Sequence, residues 1–220
     1  YYATESGDDT AAGTADAPKK TVTGVLEQAV QDRTYKAGDR IVINVTGTVK
    51  INHTNGQKLA NVPMVTEEGQ QVPILVQTDN FSGTKAKVLT GHISSTTGNA
   101  LAFLCNDFTF KNIIFSAGKH STNDVWDYQL YAGWNDIVFD NVTFSHEGEG
   151  APKWRITAGQ ISNVDGYRPP EGAATSTVTF KNGDYTNLDF ACVALNNKVA
   201  AISPDPAYTE MPNITAKLII

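Results

Sequence analysis

The stretch FTFKNIIF at residues 108–115 returns 29 residues later as IVFDNVTF at 137–144, and again as TVTFKNGDY at 177–185. In each copy an alternating apolar run meets an asparagine and then a second short run. Weaker or slipped copies centre on Asn61, Asn163 and Asn213. From Asn112 onward, successive copies lie 29, 22, 19 and 31 residues apart. A unit that recurs at variable intervals of this size is typical of a solenoid.

The asparagine of each copy marks a corner between two strands. Phe108 and Phe110 share one strand face because strand side chains alternate. The strong apolar residues beyond Asn112 are Ile113 and Phe115. The core-facing positions therefore change from even-numbered to odd-numbered residues at the asparagine, a parity change that requires a bend there. Asparagine tolerates the left-handed conformation, and its side chain can bond the neighbouring backbone. We therefore predict parallel strands with phenylalanines stacked in the core (Phe110, Phe139, Phe180) and a ladder of corner asparagines (Asn112, Asn141, Asn182).

Asn141 carries two conflicting interpretations. It lies in the triplet N-V-T, which is a glycosylation acceptor pattern. The ladder instead requires its amide to be sheltered and hydrogen-bonded to adjacent turns. Because a glycan would leave through the same amide nitrogen, both roles cannot hold. We predict that Asn141 is unmodified and largely buried.

The first fifty residues divide into three parts. Residues 1–20 are rich in small and polar residues and predict a linker-like segment. The run TVTGVLEQAVQDR at 21–33 has one apolar stripe, which predicts a helix with Thr23 as its N-cap and Gly38 available for a left-handed stop. The run IVINVTGTVKI at 41–51 predicts a pair of strands.

The repeat, the helix in front of GDRIVI and the corner asparagines together resemble the right-handed parallel β-helix of the pectate-lyase-like superfamily, over about residues 22–216. The resemblance implies an all-β solenoid domain over 21–220 with a short N-terminal capping helix. The apolar end ITAKLII carries no terminator, as expected of a truncated C-terminus. The alternative is a β-sandwich with F-x-N hairpins, but Asn-Gly hairpin signals occur only at Asn55-Gly56 and Asn182-Gly183.

Composition narrows the class of partner. The formal net charge is −6, the chain has no basic run, and only four residues are arginine, which argues against nucleic acid or an anionic membrane. No apolar run approaches the roughly 20 residues that span a bilayer. The start lacks a signal peptide and is typical of a mature, trimmed or excised segment. The Thr- and Asn-rich composition and five Asn-x-Ser/Thr triplets favour a secreted or cell-surface location.

The sequence lacks the motifs of several common redox, metal and catalytic sites. Cys105 and Cys192 lie 87 residues apart, which excludes a CxxC motif and leaves open both a disulfide and two buried free thiols. The four histidines form no HxxxH or HxH pair, so a zinc site or a Ser-His-Asp triad has little support. The resemblance implies a calcium-dependent lyase or a hydrolase with grouped aspartates. The lyase type of Trp-x-Asp-His motif is absent.

The densest polar and aromatic patch falls between the two sharpest repeats and just after the second. We expect residues 116–136 to be a loop excursion with Trp126 and Trp134 on its outside. Flat aromatic side chains stack on the apolar faces of sugars, and the candidates for carbohydrate binding are Trp126, Tyr128, Tyr131, Trp134 and Trp154. Packing against the flank of the stack is the alternative. Calcium would take carboxylate ligands such as Asp124, Asp127 and Glu147, and a solvated loop is the alternative.

These observations favour an extracellular or cell-surface β-helix module that binds or displays a polysaccharide or other glycan in the manner of an adhesin. A solenoid presents long flat strand faces and accepts inserted loops on one side. Two other functions remain open: a polysaccharide lyase or glycoside hydrolase of the pectate-lyase-like superfamily, and a structural subunit of a surface filament. No cofactor is required by the sequence, although calcium would fit the lyase.

Overall fold

The structure, a computed structural model, describes residues 1–32, 34–51, 62–90, 100–103, 106–117, 128–132, 135–146, 154–158, 174–185, 188–192 and 214–220. Within these ranges lie one helix, α1 (Val22–Asp32), and fifteen strands in three sheets. The long sheet has seven strands, in the order β1 (Tyr2–Thr4), β2 (Ile41–Thr46), β4 (Ile74–Thr78), β7 (Phe108–Lys111), β10 (Asp136–Asp140), β13 (Ala174–Lys181) and β15 (Ile214–Ile219).

The two shorter sheets have four strands each. The second sheet is ordered β11 (Thr143–His146), β8 (Ile113–Ala117), β5 (Ala86–Thr90) and β3 (Thr48–Ile51). The third sheet is ordered β14 (Leu188–Cys192), β12 (Trp154–Ala158), β9 (Tyr128–Ala132) and β6 (Ala100–Phe103). All pairings between these strands are parallel. The chain is therefore all-β, built from parallel sheets, as the sequence predicted.

The three sheets are visited in a repeated order along the chain. β7 of the long sheet is followed by β8 of the second sheet and β9 of the third, and the next strand, β10, returns to the long sheet beside β7. The following strands, β11, β12 and β13, repeat the same path. A parallel pairing needs a crossover, and the described part of each crossover here contains two further strands.

The stacked phenylalanines form the centre of the core, as predicted. Phe110, Phe139 and Phe180 occupy paired positions of β7, β10 and β13. The ring centroids of Phe110 and Phe139 are 5.6 Å apart, and those of Phe139 and Phe180 are 5.2 Å apart, with stacked planes. All three side chains are at most 4% exposed. Identical residues thus stack at the strand spacing of about 4.8 Å, because parallel register aligns equivalent positions.

The predicted corners are present at the three asparagines. The φ angles of Asn112, Asn141 and Asn182 are 54°, 55° and 53°, in the left-handed region that asparagine tolerates. Two further turns use Gly47, with a φ of 70°, and Asn80, with a φ of 44°. The parity change follows from these bends, since Phe110 before the first corner and Ile113 after it are both buried.

The asparagine ladder is correct for two of its three rungs. Asn141 Nδ2 donates to Asn112 Oδ1 at 2.9 Å, but Asn182 Nδ2 donates to Asp140 Oδ1 at 2.7 Å instead of to Asn141. Asn141 is half-buried rather than buried, and Asn182 is exposed. The corner lies at the rim of the sheets, where one side of each amide meets solvent. The Asn141 side-chain amide is hydrogen-bonded to the preceding turn, as predicted, but it is not largely buried, which was the other part of the prediction.

Two substitutions at Asn141 separate the stability contributed by its side-chain hydrogen bond from the backbone strain of its positive φ. Asn141→Gly removes the bond to Asn112 at an unstrained φ, and we expect it to lower the free energy of unfolding by about 1 kcal/mol. Asn141→Ala should cost a further 1 kcal/mol or so, because a Cβ is disfavoured in the left-handed region. Urea denaturation of both variants measures the two terms. Equal stability of the alanine variant and the unmodified protein would contradict the ladder.

The N-terminal residues are folded, so the prediction of a linker-like segment over 1–20 is wrong. β1 pairs with β2, Ala3 is fully buried, and the Tyr1 amino nitrogen donates to Val42 O at 2.7 Å. The far edge of β1 is covered by Lys19, whose N–H donates to Tyr2 O at 2.9 Å. The composition was misleading because an edge strand is held by backbone hydrogen bonds that do not depend on the side chains.

The helix α1 begins at Val22, two residues earlier than the predicted N-cap at Thr23 implied. Thr21 Oγ1 accepts a hydrogen bond from Gly24 N at 2.8 Å, so Thr21 rather than Thr23 is the N-cap. The predicted apolar stripe is present, with Leu26 and Ala29 fully buried against the first strands. Gly38 has a φ of 87°, which confirms a left-handed turn after the helix.

Candidate functional site

Most of the predicted loop site lies outside the described residues. This applies to the candidate aromatic residues Trp126 and Trp134 and to the candidate calcium ligands Asp124, Asp127 and Glu147. Among the described residues, no three His, Cys, Asp or Glu side chains gather in an arrangement that could hold a metal ion. Cys105 also lies outside the described residues, so the pairing of the cysteines stays a prediction.

The predicted loop excursion over 116–136 contains a strand. β9 includes Tyr128 and Tyr131 in its backbone and pairs with β6 and β12 of the third sheet. The segment is therefore partly a member of the parallel stack, and the prediction of one continuous loop is wrong. Tyr128 and Tyr131 remain carbohydrate-binding candidates by sequence alone.

Trp154 is a core residue, which corrects its prediction as a carbohydrate-binding residue. Its side chain is 2% exposed, and its ring lies edge-on to Phe115 with centroids 5.8 Å apart. The indole Nε1 donates to Ser145 O at 2.9 Å. A sugar cannot stack on a ring enclosed in this way. The ring instead fills the space between the second and third sheets.

The sheet with the most strands in the described part of the chain is the long sheet. Its outer face is defined here by the outward-facing residues of β2, β4, β7, β10 and β13. Five strands at about 4.8 Å spacing make this face about 19 Å long. Because the register is continuous, equivalent side chains form straight rows along the sheet. The central row consists of half-buried aliphatic and threonine side chains: Val42, Leu75, Thr109, Val138 and Thr179.

The corner row runs beside the central row, at the ends of the strands that approach the asparagine corners. It is made entirely of polar or charged side chains: Asn44, Gln77, Lys111, Asp140 and Lys181. Gln77 Nε2 donates to Asn44 Oδ1 at 2.9 Å, so the first two amides are linked along the row. The Lys111 and Lys181 side chains are exposed.

The leading row lies on the opposite side of the central row, where the strands begin, and contains Arg40, Pro73, Asp107, Asp136 and Thr177. Asp136 N donates to Asp107 Oδ1 at 2.8 Å, which holds the Asp107 carboxylate against the neighbouring strand. The sequence analysis missed this pair. The signal was present, because the dipeptide Asn-Asp occurs at the same position of the 29-residue repeat, immediately before Phe108 and Ile137.

The environment of Asp107 changes its acidity. Burial raises the pKa of its carboxyl above the usual 3.8, the Asp136 carboxylate raises it further, and the hydrogen bond from Asp136 N opposes both effects. The folded protein therefore holds this proton to a higher pH than the unfolded chain does. It follows that the contribution of Asp107 to stability falls as the pH rises through the window above 3.8.

Removing the charge of Asp107 should flatten this dependence. Asp107→Asn keeps an oxygen acceptor for Asp136 N, so we expect the variant to gain stability relative to the unmodified protein as pH rises from about 3 to 7. Asp8→Asn is the control of opposite sign, because the Thr10 backbone N–H lowers the pKa of Asp8. Urea denaturation across this pH range measures both. A constant difference for Asp107→Asn would contradict the assigned environment.

No protein-family model, curated protein or solved structure matches this chain. Across the ranges that the structure describes, no helix has the length and apolar character needed to cross a bilayer. The site must therefore be judged on its own geometry. That geometry is a flat face with an apolar centre and two polar margins, which is suited to an extended ligand with both C–H and hydroxyl surfaces.

Proposed function

We propose that this chain is a right-handed parallel β-helix of the pectate-lyase-like kind, and that it is an extracellular or cell-surface module that binds or displays carbohydrate. The repeated passage through three parallel sheets supports the helical coil, because each strand lies beside its equivalent from the preceding circuit. The five Asn-x-Ser/Thr triplets and the low charge content favour the location.

The three rows on the outer face of the long sheet carry the proposal. A polysaccharide presents apolar C–H faces flanked by hydroxyls, and the central row offers aliphatic contact between two polar rows. Equivalent groups repeat at each strand, so a polymer with a repeating unit can make similar contacts several times. Many weak contacts made at the same time raise the overall affinity for the polymer.

A charge placed in the central row should disrupt binding. We expect the double variant Leu75→Glu and Val138→Glu to weaken binding to a soluble polysaccharide at least tenfold. A bound polymer would cover each glutamate, and removing water from the charged carboxylate costs free energy. Lys50→Glu on the exposed face of the second sheet is the matched control and should leave affinity unchanged. Affinity electrophoresis on a polysaccharide panel measures both. Equal retardation of the central-row variant and the control would refute this site.

A glycoside hydrolase is the second candidate, and the Asp107–Asp136 pair favours it. Paired carboxylates catalyse glycoside hydrolysis when one stays protonated as a general acid, and burial of Asp107 acts in that direction. Release of reducing ends that is abolished by Asp136→Asn would establish this activity. Polysaccharide binding without any release of reducing ends would favour the binding module.

A further inference from the structure

The corner between β4 and β5 differs from the other described corners between the long sheet and the second sheet. At those corners one or two residues turn the chain, as Gly47 and Asn112 do. Between β4 and β5 the chain instead leaves the stack over residues 79–85, which we call the corner loop. Thr78 closes its base, because its Oγ1 accepts from Ala86 N at 2.8 Å and donates to Asn112 O. The corner loop can therefore change without disturbing the core.

The corner loop contains the glycosylation acceptor triplet Asn80-Phe81-Ser82. All three side chains are exposed, and Phe81 in the middle is 38% exposed. Asn80 has a φ of 44°, in the left-handed region that turns use. Its Nδ2 donates to the Asp79 carboxylate at 3.1 Å, an exposed bond between neighbouring residues that water can replace. The acceptor nitrogen is thus available at the surface of the folded chain.

The other two triplets whose residues the structure describes begin at Asn44 and Asn141, and both belong to the stack. Val45 and Val142, at their middle positions, are 0% and 1% exposed. The Asn141 nitrogen that a glycan would occupy donates to the preceding corner asparagine at 2.9 Å. The Thr143 hydroxyl of the same triplet accepts from a lysine of the corner loop at 2.9 Å. Neither triplet can leave the surface unless a buried valine is withdrawn from the core.

We propose that Asn80 is the residue at which the folded chain accepts an N-linked glycan, and that packing excludes Asn44 and Asn141. An oligosaccharyltransferase binds the asparagine together with the hydroxyl two residues later, so the whole triplet must enter its site. The corner loop presents a protruding triplet of this kind. The inference goes beyond carbohydrate binding and rests only on the proposed extracellular location, which takes the chain through a secretory compartment.

The transfer needs one co-reactant, an oligosaccharide carried on a lipid pyrophosphate. Asn80 Nδ2 forms a bond with the anomeric carbon of the first sugar, and the bond between that carbon and the pyrophosphate oxygen breaks. The lipid pyrophosphate leaves with the bonding electron pair, and the amide nitrogen loses one proton to a base. Nothing is oxidised or reduced. The nitrogen keeps its other hydrogen, which can still donate to Asp79.

The experiment uses the purified folded chain, a purified oligosaccharyltransferase and a lipid-linked oligosaccharide. A trypsin digest of the same chain serves as the unfolded acceptor, and peptide mass spectrometry measures the glycan at each triplet. We expect the digest to be modified at Asn44, Asn80 and Asn141, and the folded chain to be modified at Asn80 alone among these three.

Two substitutions in the corner loop test the triplet itself. Ser82→Ala removes its hydroxyl and should abolish modification at Asn80 although the asparagine remains. Thr84→Ala, in the same loop but outside the triplet, is the matched control and should leave modification unchanged. Both variants should melt close to the temperature of the unmodified protein, because Thr78 closes the base of the loop.

An unmodified Asn80 in the folded chain would overturn the proposal, as would a glycan on Asn44 or Asn141 of the folded chain. A digest that also rejects Asn44 and Asn141 would show that their sequence excludes them rather than their packing, and would overturn that part. None of these measurements involves polysaccharide binding, so the proposed function is tested separately.

Discussion

Replacing Phe139 with alanine is expected to lower the free energy of unfolding by about 3–5 kcal/mol, the range for truncating a fully buried phenylalanine. Phe139 is 0% exposed and stacks between Phe110 and Phe180. It also meets Phe144 of the second sheet edge-on, with ring centroids 5.1 Å apart. The substitution therefore opens a cavity where two sheets meet, and rings held by their neighbours on adjacent strands cannot readily fill it.

Val138→Ala is the matched control for this measurement. Val138 is the neighbouring residue on β10, but its side chain belongs to the central row of the outer face and is half-buried. We expect a loss of about 1 kcal/mol or less, because little of the cavity term applies at a surface. Urea denaturation of both variants gives the comparison. Similar losses for the two would show that the stacked rings contribute no more than surface residues.

The parallel pairing could be predicted because equivalent residues recur in the sequence repeats. Phe110, Phe139 and Phe180 recur with the same distance to a corner asparagine, and parallel register converts that recurrence into stacking. The parity change at Asn112 likewise follows from the spacing of apolar residues around a left-handed position. Segments that are held mainly by backbone hydrogen bonds could not be predicted in this way. β1 is stabilised by main-chain hydrogen bonds, which small polar side chains neither reveal nor prevent.

The candidate site was less predictable than the fold. Aromatic residues were selected by composition, but Trp154 shows that a tryptophan in a polar stretch can be a core residue when its strand joins the stack. The rows of the outer face depend on register between strands, which residue types alone do not give. Asp107 and Asp136 become neighbours only once β7 and β10 are paired. The repeated Asn-Asp dipeptide was the sequence signal for this pairing of the two aspartates. Its asparagine, Asn106 in the first copy, has a separate structural role.

Asn106 is expected to be among the most sensitive polar positions in the described part of the chain. It is 1% exposed, and its side chain accepts from Met64 N at 2.9 Å and donates to Val62 O at 2.8 Å. Its own carbonyl accepts from Asn135 Nδ2, the equivalent residue one repeat later. A second series of buried asparagines thus supports the leading ends of the strands, opposite the half-exposed corner series.

Asn106→Ala should lower the free energy of unfolding by about 2–4 kcal/mol, because it leaves a backbone N–H and a backbone carbonyl without their partner. Asn44→Ala is the control: it removes one amide of the half-buried corner row, where water can replace Gln77, and should cost about 1 kcal/mol or less. Urea denaturation distinguishes the two. Comparable losses would mean that the 62–64 segment is not held by Asn106.

Asn106→Asp tests the hydrogen bonds separately from the volume of the side chain. A carboxylate can accept from Met64 N but cannot donate to Val62 O, and burial of its charge is unfavourable. When protonated, the carboxyl regains one donor and can serve both partners. Burial raises the pKa of an acid at such a position, so the variant should recover stability relative to the unmodified protein as pH falls from about 7 to 4. An aspartate variant as unstable at low pH as at neutral pH would show that the two backbone groups are not what Asn106 provides.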